Sequence, residues 1–128
     1  MIVAGIGCRT GVAAGALRQV LDDALRLLPS AAPVGALILA VPEFRRDEPG
    51  IAEAASALGL PVILVGRAAL RGEQGRCLTR SARAEAEVGL ASVAEAAALS
   101  AAGPGSRLVV PRIVGAGVTC AIAEGDPP

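Results

Sequence analysis

Apolar residues follow two rhythms along the chain, and the alternation between them predicts the fold class. Ile2 to Ile6 is a short apolar run that takes in glycine, the pattern of a buried strand feeding a tight turn. After it Val12, Ala16, Leu17, Val20, Leu21, Ala24, Leu25 and Leu28 recur at helical spacing, with Arg18, Gln19, Asp22, Asp23 and Arg26 on the other face; Pro29 and Pro33 bracket the exit. Gly35 to Val41 shows no alternation and is bounded by turn residues, which predicts a central strand covered on both faces. Ile51, Ala54, Ala55 and Leu58 form a second helical stripe, entered through Pro49-Gly50 and closed by Gly59. Pro61 to Val65 predicts a third buried strand, parallel to the others. Three strands separated by two helices make right-handed βαβ crossovers the economical topology.

The second half is less regular. Gly72, Gly75 and Gly89 interrupt the stretch from Gly66 to Ala91, which predicts a long loop with one or two short helices. Ser92-Val93-Ala94-Glu95 has the spacing of a capping box, and a third helix is expected from Val93 to about Ala102, ended by Gly103-Pro104-Gly105. Leu108 to Val110 and Val118 to Ile122 flank Gly115-Ala116-Gly117 and predict a C-terminal β-hairpin, making the sheet mixed. Glu124 to Pro128 is expected to fray. With no internal repeat and no boundary, residues 1–128 read as a single α/β domain.

Composition removes whole chemistries. The 128 residues contain no His, and all 12 cationic residues are arginine, a bias that fits a GC-rich coding sequence. Without imidazole there is no Ser-His-Asp or Cys-His unit and no His-containing zinc site. Without lysine there is no Schiff base and no Walker-type phosphate loop. Zero net charge and a pI near 6.2, with a single aromatic residue, argue against nucleic acid. Cys8, Cys77 and Cys120 form no CxxC pair, so a reducing cytoplasm is the expected compartment. No apolar run approaches the roughly 18–20 residues that cross a bilayer, and the N-terminus lacks the basic region of a signal peptide.

Three constellations remain. Gly5-Ile6-Gly7-Cys8-Arg9-Thr10-Gly11 is placed where a strand hands over to a helix, so its glycines either turn the chain or let backbone N–H groups approach an anion. Its third glycine falls one residue late for the GxGxxG dinucleotide fingerprint. Arg9 and a nearby helix start favour a Cys8 thiolate, but no base is present to activate it, and a small buried hydrophobe is the simpler role. Arg9 itself suits a carboxylate or phosphate. The second constellation is Glu43, Arg45, Arg46, Asp47 and Glu48 after the central strand. In open α/β sheets both loops belong to the carboxyl rim, where Asp47 or Glu48 is a candidate acid or base, or simply a helix cap. The third runs from Thr79-Arg80-Ser81 to the Ser92 helix start, where Ser92 and Glu95 either cap the helix or add a further anion-favouring end to the rim.

Taken together, Gly5-Ile6-Gly7-Cys8-Arg9, Asp47-Glu48-Pro49-Gly50, Ser92-Val93-Ala94-Glu95-Ala96-Ala97-Ala98-Leu99 and Val118-Thr119-Cys120-Ala121-Ile122-Ala123 resemble, in order and spacing, the CobE/CbiG C-terminal domain family of cobalamin biosynthesis. The resemblance spans nearly the whole chain and is closest to the stand-alone CobE form. It implies a three-layer α/β/α domain with a mostly parallel, mixed sheet, and a corrin-ring intermediate, of the precorrin or hydrogenobyrinic acid type, as ligand. In the longer CbiG proteins the family activity is opening of a ring-A lactone with loss of acetaldehyde; for the stand-alone form, binding and catalysis both stay open. Relatives often carry lysine where this chain has Arg45-Arg46 and Pro111-Arg112, so carboxylate binding carries over while lysine chemistry does not. The expected ligand-binding residues are Gly5, Gly7, Cys8, Arg9, Gly11, Arg45, Arg46, Ser92 and Glu95, with Asp47 and Glu48 as catalytic candidates. No metal or cofactor is expected, and other cobalamin-pathway enzymes are the expected protein partners. A nucleotide-binding domain using the glycine loop is the alternative outside the family.

Overall fold

A computed structural model describes residues 1–29 and 37–125 of the chain. The expected helix exit at Pro33, the first two residues of the predicted Gly35–Val41 strand and the end of the predicted tail lie outside them. Five strands form one sheet: β1 (Ile2–Cys8), β2 (Leu37–Pro42), β3 (Val62–Val65), β4 (Arg107–Val114) and β5 (Val118–Glu124), in the order β3-β2-β1-β5-β4. β1, β2 and β3 are parallel, whereas β5 runs antiparallel to both β1 and β4. The helices α1 (Ala14–Arg26) and α2 (Pro49–Leu58) connect the parallel strands. Because both crossovers step in the same direction across the sheet, both helices lie on the same face. The chain then returns to the far side of β1 through α3 (Arg67–Gly72), α4 (Ala82–Val88) and α5 (Val93–Ala102), and α5 covers the opposite face. The result is the α/β/α arrangement with a C-terminal hairpin.

The strand period of two divides the core by size. Ala4, Ile6, Leu37, Leu39, Val41, Val118, Cys120 and Ile122 point toward α1 and α2, where they meet Leu17, Val20, Leu21 and Ile51. The other face is built from small residues: Ala40 and Ala123 pack with Ala96, Ala97 and Ala98 of α5. On β1 the positions facing α5 are Val3, Gly5 and Gly7. A Cβ on Gly5 would collide with the carbonyl oxygen of Ala94 and the amide nitrogen of Ala98. The helix can lie this close only because that strand position has no side chain.

Several expectations are corrected by pairing that no single segment reveals. β1 continues two residues past Ile6 because β5 pairs with it as far as Cys8↔Val118; Gly5 and Gly7 are therefore strand residues under α5, and the turn is confined to Arg9–Gly11. α1 begins at Ala14, not Val12. The expected buried strand Pro61–Val65 is an exposed edge strand: among the described residues β3 pairs only with β2, and Val62, Ile63 and Leu64 are each more than a third exposed. The Ser92–Glu95 capping box does not form, since Ser92 makes no side-chain cap and Glu95 turns inward. Glu124 and Gly125 are not frayed: Glu124 pairs with Ile2, and the Gly125 amide donates to the Met1 carbonyl. No helix among the described residues is long and apolar enough to cross a membrane.

Gly5→Ala is expected to destabilise the domain by about 1–3 kcal/mol through overpacking. Gly15→Ala, in the first turn of α1 with open space around it, should instead stabilise by about 0.4–1 kcal/mol. Urea denaturation midpoints of the two variants measure both effects, and equal midpoints would contradict the close approach of α5.

Candidate functional site

The sheet topology brings three turns to one rim. The carboxyl ends of β1 and β2 lie beside the turn of the β4–β5 hairpin, because β5 runs antiparallel and starts where β1 ends. Backbone and side-chain bonds tie the turns together. The Arg45 Nε donates to the Cys8 carbonyl at 2.9 Å, the Gly11 amide donates to the Glu48 Oε1 at 2.6 Å, and the Arg9 amide donates to the Gly117 carbonyl at 3.0 Å. Phe44, the one aromatic residue, lies beneath two guanidinium groups, with Arg45 at 5.1 Å and Arg67 at 4.8 Å from its ring centre. These contacts make the rim a single connected surface.

An open cleft of about 240 Å³ runs along it. Its floor is Gly7, Cys8, Val118 and Thr119 at the strand ends; one wall is Phe44 and Arg45, another is α4 with Arg83, Ala84, Glu87 and Val88, and the hairpin adds Arg112, Val114 and Gly117. Arg9 also borders it. Arg83 is paired to Glu87 at 2.9 Å, but Arg9, Arg45 and Arg112 make no ion pair among the described residues. Three unpaired guanidinium groups around apolar strand ends form a surface suited to several carboxylates at once. Among the described residues no three His, Cys, Asp or Glu side chains converge as a metal site would require.

The residues expected from the sequence divide sharply. Gly7, Cys8, Arg9 and Arg45 border the cleft. Gly5 lies beneath α5, and Gly11, at φ +80°, shapes the turn while its amide is taken by Glu48. Arg46 faces solvent, 3.5 Å from Glu43 and 3.9 Å from Asp47. Asp47 is almost fully exposed and does not line the cleft. Glu48 is buried, and its carboxylate joins the Arg9–Gly11 turn to the start of α2. Neither catalytic candidate lines the cleft. Ser92 and Glu95 are buried behind it. Glu95 accepts the amides of Leu78 and Thr79 at 2.9 Å on one oxygen and that of Arg112 at 3.0 Å on the other, so it joins the chain leading to α4 with β4.

Phe44, Arg83, Arg112 and Thr119 belong to the cleft without having been singled out as site residues. Their side chains arrive from four separate elements, and only Pro111-Arg112 carried a local sign, through its place in the family pattern. Cys8 fits the simpler role of a small buried hydrophobe and not that of a thiolate favoured by Arg9. Helix α1 starts six residues later, so no helix end acts on it, and burial pushes the thiol up to about 11 despite the lowering influence of Arg45. Burial likewise raises Cys77 to about 11 and Cys120 to about 12.

Comparison with known proteins identifies the pattern. Residues 2–123 match the family described as cobalamin synthesis G C-terminus. The chain is 35% identical over 124 residues to protein CobE of Sinorhizobium sp., covering 95% of this chain and 79% of that protein. The crystal structure of a CobE from the cobalamin (vitamin B12) biosynthetic pathway superposes with a TM-score of 0.82 at 36% identity, over 96% of this chain and 89% of that one. The cobalamin biosynthesis protein chiG of Agrobacterium tumefaciens strain C58 gives a TM-score of 0.75 at 39% identity, over 99% and 100% of the two chains.

Two outcomes follow from the geometry. Glu48→Ala orphans the Gly11 amide and should cost about 1–3 kcal/mol, read as a lower denaturation midpoint, whereas Asp47→Ala should leave it unchanged. The three raised thiols keep the folded state protonated above pH 9, where unfolded cysteine ionises. Their stabilising contribution is therefore complete below pH 9 and is lost as pH rises through about 11 for Cys8 and Cys77 and about 12 for Cys120. Alkylation of Cys8 by iodoacetamide in the native protein should be slow at pH 8 and accelerate toward pH 11; rapid labelling at pH 8 would contradict the buried thiol.

Proposed function

Because the chain belongs to the cobalamin synthesis G C-terminus family and is a protein of cobalamin biosynthesis, we propose that its rim cleft binds a corrin-ring intermediate by the carboxylates at the macrocycle's edge. The observation that carries the reading is the set of three guanidinium groups, Arg9, Arg45 and Arg112, bordering one cleft without ion-pair partners among the described residues. Corrin precursors are broad apolar rings fringed with acetate and propionate groups. Cys8, Val93, Val114 and Val118 offer apolar contact to the ring, and the arginines take the acids. The cleft is smaller than the roughly 300–1,000 Å³ of pockets that enclose a drug-sized ligand. A macrocycle therefore enters by one edge and leaves the rest of the ring accessible, which suits transfer between enzymes of the same pathway.

The lactone-opening alternative needs a proton donor or acceptor at the ligand. Asp47 projects into solvent and Glu48 is committed to the Gly11 amide; among the described residues the only carboxylate on the cleft, Glu87, is paired with Arg83. The nucleotide alternative loses its phosphate cradle, because Gly5 and Gly7 lie within β1 and the last turn before α1 is closed by Glu48. Binding is thus the reading best supported by the arrangement.

Titration of the purified protein with hydrogenobyrinic acid, followed by visible absorbance, tests it. Saturable binding is expected, and Arg9→Ala should weaken it by about 1–3 kcal/mol. Release of acetaldehyde from a lactone-bearing precorrin would establish the enzyme reading, and tight nucleotide binding with no response to tetrapyrroles would end the corrinoid one.

A further inference from the structure

We infer that Arg112, held in place by the buried Glu95, is an anion anchor of the cleft that takes a different acid arm of the ligand from Arg45. The inference rests on the corrinoid reading of the cleft and narrows it. Its starting point is an irregularity in β4. Val110 pairs with Ile122 but Ile113 pairs with Cys120, so Pro111 and Arg112 together face one residue of β5. This is a β-bulge, which re-aims side chains locally. Proline gives up no ladder bond there, having no N–H, and the freed Arg112 amide donates to the Glu95 Oε2.

Glu95 is fully buried, yet it forms no ion pair with Arg112. Both its oxygens are occupied by backbone amides, two from Leu78 and Thr79 and one from Arg112. The carboxylate thus fixes the backbone on two sides of the cleft while leaving the guanidinium unneutralised. The Arg112 Nε is buried and has no hydrogen-bond partner, although the residue lines the cleft. Sealed from water, Nε is also out of a ligand's reach; the terminal guanidinium nitrogens, which make no ion pair among the described residues, are the donors that Arg112 offers a carboxylate in the cleft.

Position separates the two anchors. Arg45 follows β2 and Arg112 lies on β4, three strand steps apart in the order β2-β1-β5-β4. At ordinary interstrand spacing their strands are about 14 Å apart. With their backbones so far apart, the two guanidinium groups enter the cleft from opposite sides, and each is free to take a separate acid arm of one rigid ring.

Hydrogenobyrinic acid titrations at several salt concentrations test the assignment. Arg112→Gln should weaken binding about tenfold and flatten its salt dependence, whereas Arg112→Lys should recover affinity to within about threefold of the parent. Glu95→Gln should weaken binding in the parent but by less than about twofold in the Arg112→Gln background, since its effect passes through Arg112. If Glu95→Gln does not fold, the Arg112 pair decides alone. Unchanged affinity and salt dependence in Arg112→Gln would remove Arg112 from the site and leave the corrinoid reading intact. Losses that multiply in the double variant would refute the positioning role of Glu95. Absence of any binding by the parent protein would defeat the corrinoid reading itself, and this inference with it.

Discussion

The close seating of α5 on the glycine face of β1 is the contact on which the remaining architecture depends. Gly5 and Gly7 present bare backbone to a helix whose inward residues are nearly all alanine, so helix and strand approach to a distance that larger side chains forbid. Apolar burial per residue is modest on that side, since alanine offers little area. Dense backbone packing replaces it. The bulky aliphatic residues are concentrated on the other face, under α1 and α2, where Ile6, Leu17, Leu39 and Ile122 are fully buried.

That seating also decides the electrostatics. Pressed against the sheet, α5 carries Glu95 into a region from which water is excluded, and an ionised carboxylate there is tolerable only with its hydrogen-bonding capacity used. Three backbone amides from two distant segments meet that requirement. A residue at the third position of a helix thereby becomes the joint between a loop and a bulged strand. Glu48 does similar work on the opposite flank by taking the Gly11 amide. Two buried carboxylates thus brace the backbone of the rim, while Arg9, Arg45 and Arg112 beside the cleft are left without acidic partners among the described residues.

A chain of zero net charge consequently presents a locally cationic cleft. The balancing acids are spent elsewhere: Asp22 and Asp23 pair with Arg26 on α1, Glu73 with Arg76, Glu85 with Arg80, and Glu124 with Arg107. Such segregation gives the cleft the charge that the proposed carboxylate-bearing ligand requires.

The order of elements, the parallel β1-β2-β3 core, the third helix from Val93 to Ala102 and the C-terminal hairpin were legible in the sequence, because strand and helix periodicities are local and their turns carry glycine or proline. So was the family, through four short motifs in register. What the sequence left undetermined shares a single physical cause, namely that it depends on which segments become neighbours. Ser92-Val93-Ala94-Glu95 has the spacing of a cap, but a buried glutamate binds whichever amides the fold supplies, and those come from Leu78, Thr79 and Arg112. Val62 to Leu64 has the composition of a buried strand, yet strand order places it at an edge. Arg46 and Arg112 are indistinguishable in charge and type; pairing with Glu43 keeps one at the surface, and a bulge in β4 brings the other to the cleft. Local pattern determined the elements and their sequence, whereas side-chain environment was decided only by tertiary packing, because burial, partner and orientation are properties of contacts between residues far apart in the chain.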